Sequence, residues 1–125
     1  MVNVSVEADR AIFTVEGTHK LWAIKSRIEI PLSHITGVDV NHDQVSSWWH
    51  GFKLLGTDFP GLFAMGTFYY HRELVFWDVI DLHKTIIVSL EHERYKKLII
   101  EVDDPHLTAD SLSAAVQRIA GRLRL

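Results

Sequence analysis

Apolar and polar residues alternate over short stretches of this chain, and this pattern predicts a body built mostly of β-strands. In the first forty residues, strands are predicted at 11–15, 28–32 and 35–40, and the stretch 19–24 between the first two is apolar again. A period of two is typical of a strand with one buried face. Pro31 cannot donate to a ladder, so the second strand is expected to lie at an edge or to end there. Gly37 is a candidate bulge in the third.

Later in the chain the same alternation predicts three more strands, at 74–80, 86–90 and 98–102. In the first of these, Val75, Trp77 and Val79 share one face. The connections between the three strands are short. Short connections favour antiparallel neighbours, so a meander is expected here.

The stretch 41–70 differs because its glycines fit neither helical nor strand periodicity. They recur every five residues, at Gly51, Gly56, Gly61 and Gly66, among many aromatic residues. This indicates a chain that bends repeatedly while its rings point inward. Four unrelated turn glycines explain the spacing equally well.

One amphipathic helix is predicted at the C-terminal end, at about 105–123. Asp104 and Pro105 form a cap followed by a first-turn proline, and Thr108 is a second candidate cap. The apolar stripe of this helix comprises Leu112, Ala115, Val116, Ile119, Ala120 and Leu123. Such a stripe needs a sheet to cover it. The expected fold is therefore mainly β (α+β), a bent sheet or open barrel closed at one end by the helix.

Composition narrows the function classes. The 125 residues predict a single domain, 1–125, with no cysteine for a disulfide or a thiolate metal site. The net charge of −3 argues against binding to nucleic acid or to an anionic membrane. No signal peptide, lipidation motif or apolar run long enough to cross a bilayer is recognised, so a cytoplasmic location is expected.

Three stretches carry a resemblance to the bacterial pleckstrin-homology (PH)-like domains. The segment 28–38 is similar to an I-P-L-S-x-I-x-x-V element of that family, and 66–69 with 76–79, and 99–105, are similar to further stretches. The resemblance covers roughly residues 10–122 and implies a barrel of about seven antiparallel strands in two bent sheets, closed by one C-terminal helix. It also implies a binding or assembly module without catalytic activity.

A binding site for lipid head groups or small molecules at the barrel mouth is the alternative function. Phosphate recognition requires several converging cations. The candidates are Lys20, Lys25 and Arg27, which are scattered over eight residues close to Glu16. The basic cluster that the family uses for head groups is therefore not matched, and an ordinary solvated strand face is the favoured interpretation of these three residues.

The sequence gives little support for a catalytic site or a metal site. None of the eight histidines belongs to an H-E-x-x-H motif, although folding could bring His71 and His83 together. Asp78 interrupts an apolar strand, and alternation places it opposite Trp77 and outward. No nucleophile elbow or phosphate loop is present. We therefore expect no enzyme, no metal and no cofactor.

Two features point to binding of a protein partner or to self-association, most simply as a dimer. In an extended chain, only one of Trp48 and Trp49 can face the core, so the other could anchor an interface. A loop that folds both rings inward is the competing interpretation. An open barrel also leaves a strand edge to which a partner strand could add.

Overall fold

The computed structural model describes residues 2–15, 26–40, 64–70, 73–79 and 82–123. Within these ranges the chain forms eight strands and one long helix, so the mainly β prediction is confirmed. The strands are β1 Val2–Glu7, β2 Arg10–Val15, β3 Ser26–Pro31, β4 Ile35–Asp39, β5 Ala64–Tyr70, β6 Glu73–Val79, β7 Thr85–Leu90 and β8 Lys97–Glu101. The helix is α1, Pro105–Leu123. Short 3-10 turns, Leu32–His34 and Leu82–Lys84, precede β4 and β7.

The first three strands form an antiparallel sheet in the order β1-β2-β3. A two-residue turn, Ala8–Asp9, joins β1 to β2, and Ala8 has a left-handed backbone with φ of 56°. The row Val4, Phe13 and Ile28 crosses the sheet on the face turned to the core. This sheet therefore has one apolar face, as the alternation in its sequence predicts.

Two local predictions in this part of the chain are confirmed. β3 ends at Pro31 and, among the described strands, lies at one edge of its sheet, where a residue without a backbone N–H interrupts no ladder. The pairing of β4 with β7 shifts register between Ile35 and Gly37, which places a bulge at the predicted glycine.

The other five strands form a mixed sheet in the order β4-β7-β8-β6-β5. The predicted meander is wrong, because β8 lies between β6 and β7 and runs parallel to β6. The apolar residues of β8 explain this position. Leu98, Ile99 and Ile100 are consecutive and all buried. A strand that is apolar on both faces is best accommodated at the centre of a sheet covered on both sides.

The barrel that the resemblance implies is only partly matched. About seven antiparallel strands were expected, whereas the described residues hold eight, one pair of them parallel. Within these ranges no strand pair joins the two sheets. Closure into a barrel stays a prediction.

Helix α1 covers the core with the predicted stripe, and its predicted bounds of 105–123 are confirmed. Leu112, Ala115 and Ile119 are buried in the core, and Val116 packs against it. Ala120 was expected in the stripe but is exposed. It follows Ile119 by 100° around the helix axis, which carries a small side chain past the boundary of the apolar face.

The five-stranded sheet is also buried on the face turned away from this core. Trp77, Ile99 and Ile87 lie side by side in one row across β6, β8 and β7. All three are buried, and Trp77 and Ile99 are fully so. The predicted shared face of Val75, Trp77 and Val79 belongs to this second buried layer.

Candidate functional site

Strand β1 forms one edge of the three-stranded sheet in the described part of the chain. Glu7 and Arg10 close the two-residue turn as partners. A turn of this length is closed by a hydrogen-bonded pair, and hydrogen-bonded and non-hydrogen-bonded pairs then alternate along an antiparallel ladder. The backbone N–H and C=O groups of Val2, Val4 and Val6 therefore point away from β2, towards the edge.

The turn that precedes β2 is fastened to the end of β3. The backbone N–H of Leu32 donates to the carbonyl oxygen of Asp9 over 2.8 Å. Leu32 itself is fully buried. This bond fixes the hairpin of β1 and β2 to a core residue, so the edge is held by a rigid support.

An open groove of about 520 Å³ separates β1 from helix α1. Its strand side consists of Val4 and Val6. Its helix side consists of Leu107, Thr108, Ser111, Leu112, Ala114, Ala115 and Arg118. Burial decreases along the strand, from buried Val2 to Val6, which is 37% exposed. The strand side of the groove thus continues the apolar core surface to the solvent, whereas Thr108, Ser111 and Arg118 make its helix side partly polar.

Leu107 stands at the groove as the most exposed large apolar residue in the described ranges, at 64%. Its position is fixed by the helix cap, because its backbone N–H donates to Asp104 Oδ1 over 3.2 Å. Thr108 N–H donates to the Asp104 carbonyl oxygen over 2.9 Å. The predicted cap at Asp104 is confirmed, and it presents an apolar side chain to water in an ordered first turn.

The predicted anion site is only partly visible. Lys20 and Lys25 lie outside the described residues. Arg27 lies on the outer face of β3, where its guanidinium contacts Glu29 Oε1 at 2.7 Å. Arg10 contacts the other oxygen of the same carboxylate at 3.5 Å. Arg27 thus already has an anionic neighbour, and head-group binding at this cluster stays a prediction.

Three titratable side chains meet beside the turn before β4. His34 Nδ1 lies 3.5 Å from Glu93 Oε1, and the rings of His34 and His92 are 5.7 Å apart. In the described ranges no three histidine or acidic side chains are arranged to hold a metal ion. The backbone N–H of Glu91 donates to the His34 carbonyl oxygen over 2.8 Å. The contact holds the β7–β8 connection against the rest of the sheet.

Several other candidate residues from the sequence lie outside the described ranges. Trp48 and Trp49 lie outside the described residues, as do His71, the side chain of Asp78, and Gly51, Gly56 and Gly61. His83 is exposed. Glu101 was not recognised as a buried group, yet it is 5% exposed and stands opposite Thr85. The signal available was its place at the end of the apolar run of β8.

Sequence reasoning also missed β1, and with it the strand side of the groove. Val2, Val4 and Val6 alternate strictly with Asn3, Ser5 and Glu7. Alternation over six residues followed by a short turn predicts the first strand of a hairpin. The pattern was readable, but no strand was predicted before residue 11.

Comparison with known proteins adds no constraint: no family model, curated protein or solved structure matches the chain.

Within the described residues, no helix combines the length and the hydrophobicity that a bilayer crossing requires.

Proposed function

We propose that this protein is a non-catalytic interaction module that binds an extended protein segment along the edge of β1. The observation that carries the proposal is the combination of an edge strand in the described residues with a groove beside it whose strand side, Val4 and Val6, is apolar. The bound segment would extend the three-stranded sheet and place its own apolar side chains in the groove.

The backbone of β1 supports this mode of binding. The outward N–H and C=O groups of Val2, Val4 and Val6 form a regular template for a further strand. Strand addition uses such a template for affinity and the pockets beside it for specificity. Because the hairpin is fastened through Leu32 and Asp9, little ordering of the strand would be needed on binding.

The groove supports a partner in which every second residue is apolar. Successive side chains of a strand point to opposite faces, so alternate residues of the added segment would face α1. There they would meet Val6 and Leu107, the two exposed large apolar residues of the described ranges. Burial of such surface contributes about 25 cal/mol for each Å² removed from water.

The PH-like assignment belongs to this proposal as well. Two sheets followed by one C-terminal helix support it, whereas the parallel pair of β6 and β8 departs from the antiparallel arrangement that the resemblance implies. The groove supports a binding role whichever assignment is correct.

The test uses a synthetic peptide of alternating valine and threonine flanked by lysines, with a control peptide that has proline at its centre. Backbone amide shifts would be followed by NMR during titration. The first peptide is expected to shift Val2, Val4 and Val6, and the proline peptide is not, because it lacks a central donor and cannot continue a ladder.

A matched pair of variants locates the binding surface. Val6→Lys introduces a charge into the groove, whereas Ser5→Lys introduces the same charge on the opposite face of the same strand. Peptide affinity is expected to fall about tenfold in the first variant and to stay unchanged in the second. Equal effects of the two substitutions, or peptide-induced shifts confined to the five-stranded sheet, would contradict the proposal.

A further inference from the structure

We propose that the segment bound at β1 is the β1 strand of a second copy of this chain, and that the two copies pair across a two-fold axis. The inference rests on the proposed function and names its partner. Three observations carry the inference. They are the register in which two copies of β1 can pair, the distribution of charge along α1, and the fit of Leu107 of one copy to Gly121 of the other.

The first observation is the valine pattern of β1. An antiparallel pair of identical strands centred on Val4 places Val4 opposite Val4 of the second copy and Val2 opposite Val6. These are the residues whose backbone groups point to the edge, so the pairing satisfies donors and acceptors on both sides. It also keeps all the valines on the groove face. A register shifted by one residue would place valine opposite serine and send the apolar set to the wrong face.

The second observation is the charge along α1. Its N-terminal half, 105–113, carries Asp110 and no lysine or arginine. Its C-terminal half, 114–123, carries Arg118 and Arg122 and no acidic residue. Two such helices running antiparallel place the acidic half of one beside the basic half of the other. When the pair is centred on Ala114, Asp110 of each copy faces Arg118 of the other.

The third observation concerns the two ends of the same helix face. The centring on Ala114 that pairs Asp110 with Arg118 also places exposed Leu107 opposite Gly121. A Cβ built on Gly121 would meet nothing within 4 Å, so the space above this glycine is open. A glycine within a helix is costly for its stability. Here it leaves room for the leucine of the second copy, and the face between them is lined by small Ser111 and Ala114.

The proposed dimer requires both pairings to share one two-fold axis. The strand pair is centred on Val4 and the helix pair on Ala114, and these two residues line the same groove. In that arrangement one two-fold operation would extend the sheet from three strands to six and bring the helices together above it. The exposed Val6 and Leu107 of each copy would then be covered by the other copy.

The helix dipole favours the same charge distribution within a single chain, so the test must separate the two explanations. The variants Asp110→Arg and Arg118→Asp each replace two attractive pairs of the dimer with two repulsive ones. Mixed together, one copy carries arginine at both positions and the other aspartate at both, and attraction is restored. Association would be measured by sedimentation equilibrium, with circular dichroism to verify that each variant is folded.

The wild type is expected to sediment as a dimer at micromolar concentration, and each variant alone is expected to associate about tenfold more weakly. An equimolar mixture of the two variants is expected to recover association as a heterodimer. A matched control, His106→Asp with Ala120→Arg, changes charge at exposed positions of α1 that neither line the groove nor face the second copy, and it should leave dimerisation unchanged.

A monomeric wild type, or a mixture no stronger than its components, would overturn self-pairing. The proposed function is tested independently of self-pairing, because the peptide titration can be run on the folded Asp110→Arg variant. If that variant binds the valine–threonine peptide at β1 while the wild type stays monomeric, strand addition stands and the second copy is not its partner.

Discussion

The centre of the five-stranded sheet and the edge of the three-stranded sheet both contain β-branched residues, yet these residues differ in their exposure to solvent. In β8, Ile99 is fully buried between Trp77 and Ile87. In β1, the exposure of the valines rises towards Val6. The same residue types therefore stabilise the core in β8 and form a surface available for binding in β1.

What separates the two regions is the number of covered faces and neighbours. β8 has a hydrogen-bonded strand on each side and is buried on both faces. β1 has one strand neighbour among the described residues and one face turned to solvent, where Ser5 and Glu7 lie. Substitutions at the centre should therefore change the stability of the fold, and those at the edge should change association.

The largest effect is expected from Ile99→Ala. Removing a buried branched side chain loses transfer free energy and leaves a cavity, at a cost of about 2–5 kcal/mol in the free energy of unfolding. The matched substitution on β1, Val6→Ala, should cost about 0.5 kcal/mol or less because the site is already partly exposed. Urea denaturation followed by circular dichroism measures both. Similar losses at the two positions would remove the distinction between centre and edge.

An intermediate effect is expected from Asp104→Ala, because the carboxylate caps the helix turn that carries Leu107. Loss of the cap should lower the free energy of unfolding by about 1 kcal/mol. Asp104→Asn keeps an acceptor oxygen and should change stability by only a few tenths of that amount, about 0.3 kcal/mol. If Asn and Ala were equally destabilising, the hydrogen bond to Leu107 would not be the source of the effect.

Much of the fold was accessible from the sequence because local patterns determine it. Three of these patterns depend only on residues close together in the chain: the alternation in β3, the end of that strand at Pro31 and the helix cap at Asp104. All three predictions are confirmed. Helix α1 was predicted with its observed bounds for the same reason. These features depend on neighbours along the chain, which a single sequence contains.

Strand order depends on contacts between distant residues, and there the sequence was insufficient. The insertion of β8 between β6 and β7 follows from the burial that Ile99 needs on one face and Ile100 on the other. The short connections instead suggested a meander. The groove was missed for a related reason: it exists only where β1 meets α1, about a hundred residues later in the chain.

Residue-resolved amide hydrogen exchange, measured over a range of protein concentration, tests the interaction surface most directly. On dilution, the amides of Val4 and Val6 should exchange progressively faster as the β1 edge is released, while the amide of Ile99 stays protected at every concentration. Slow exchange at Val4 that does not change with dilution would show an edge that is already closed within one chain, and it would contradict the account.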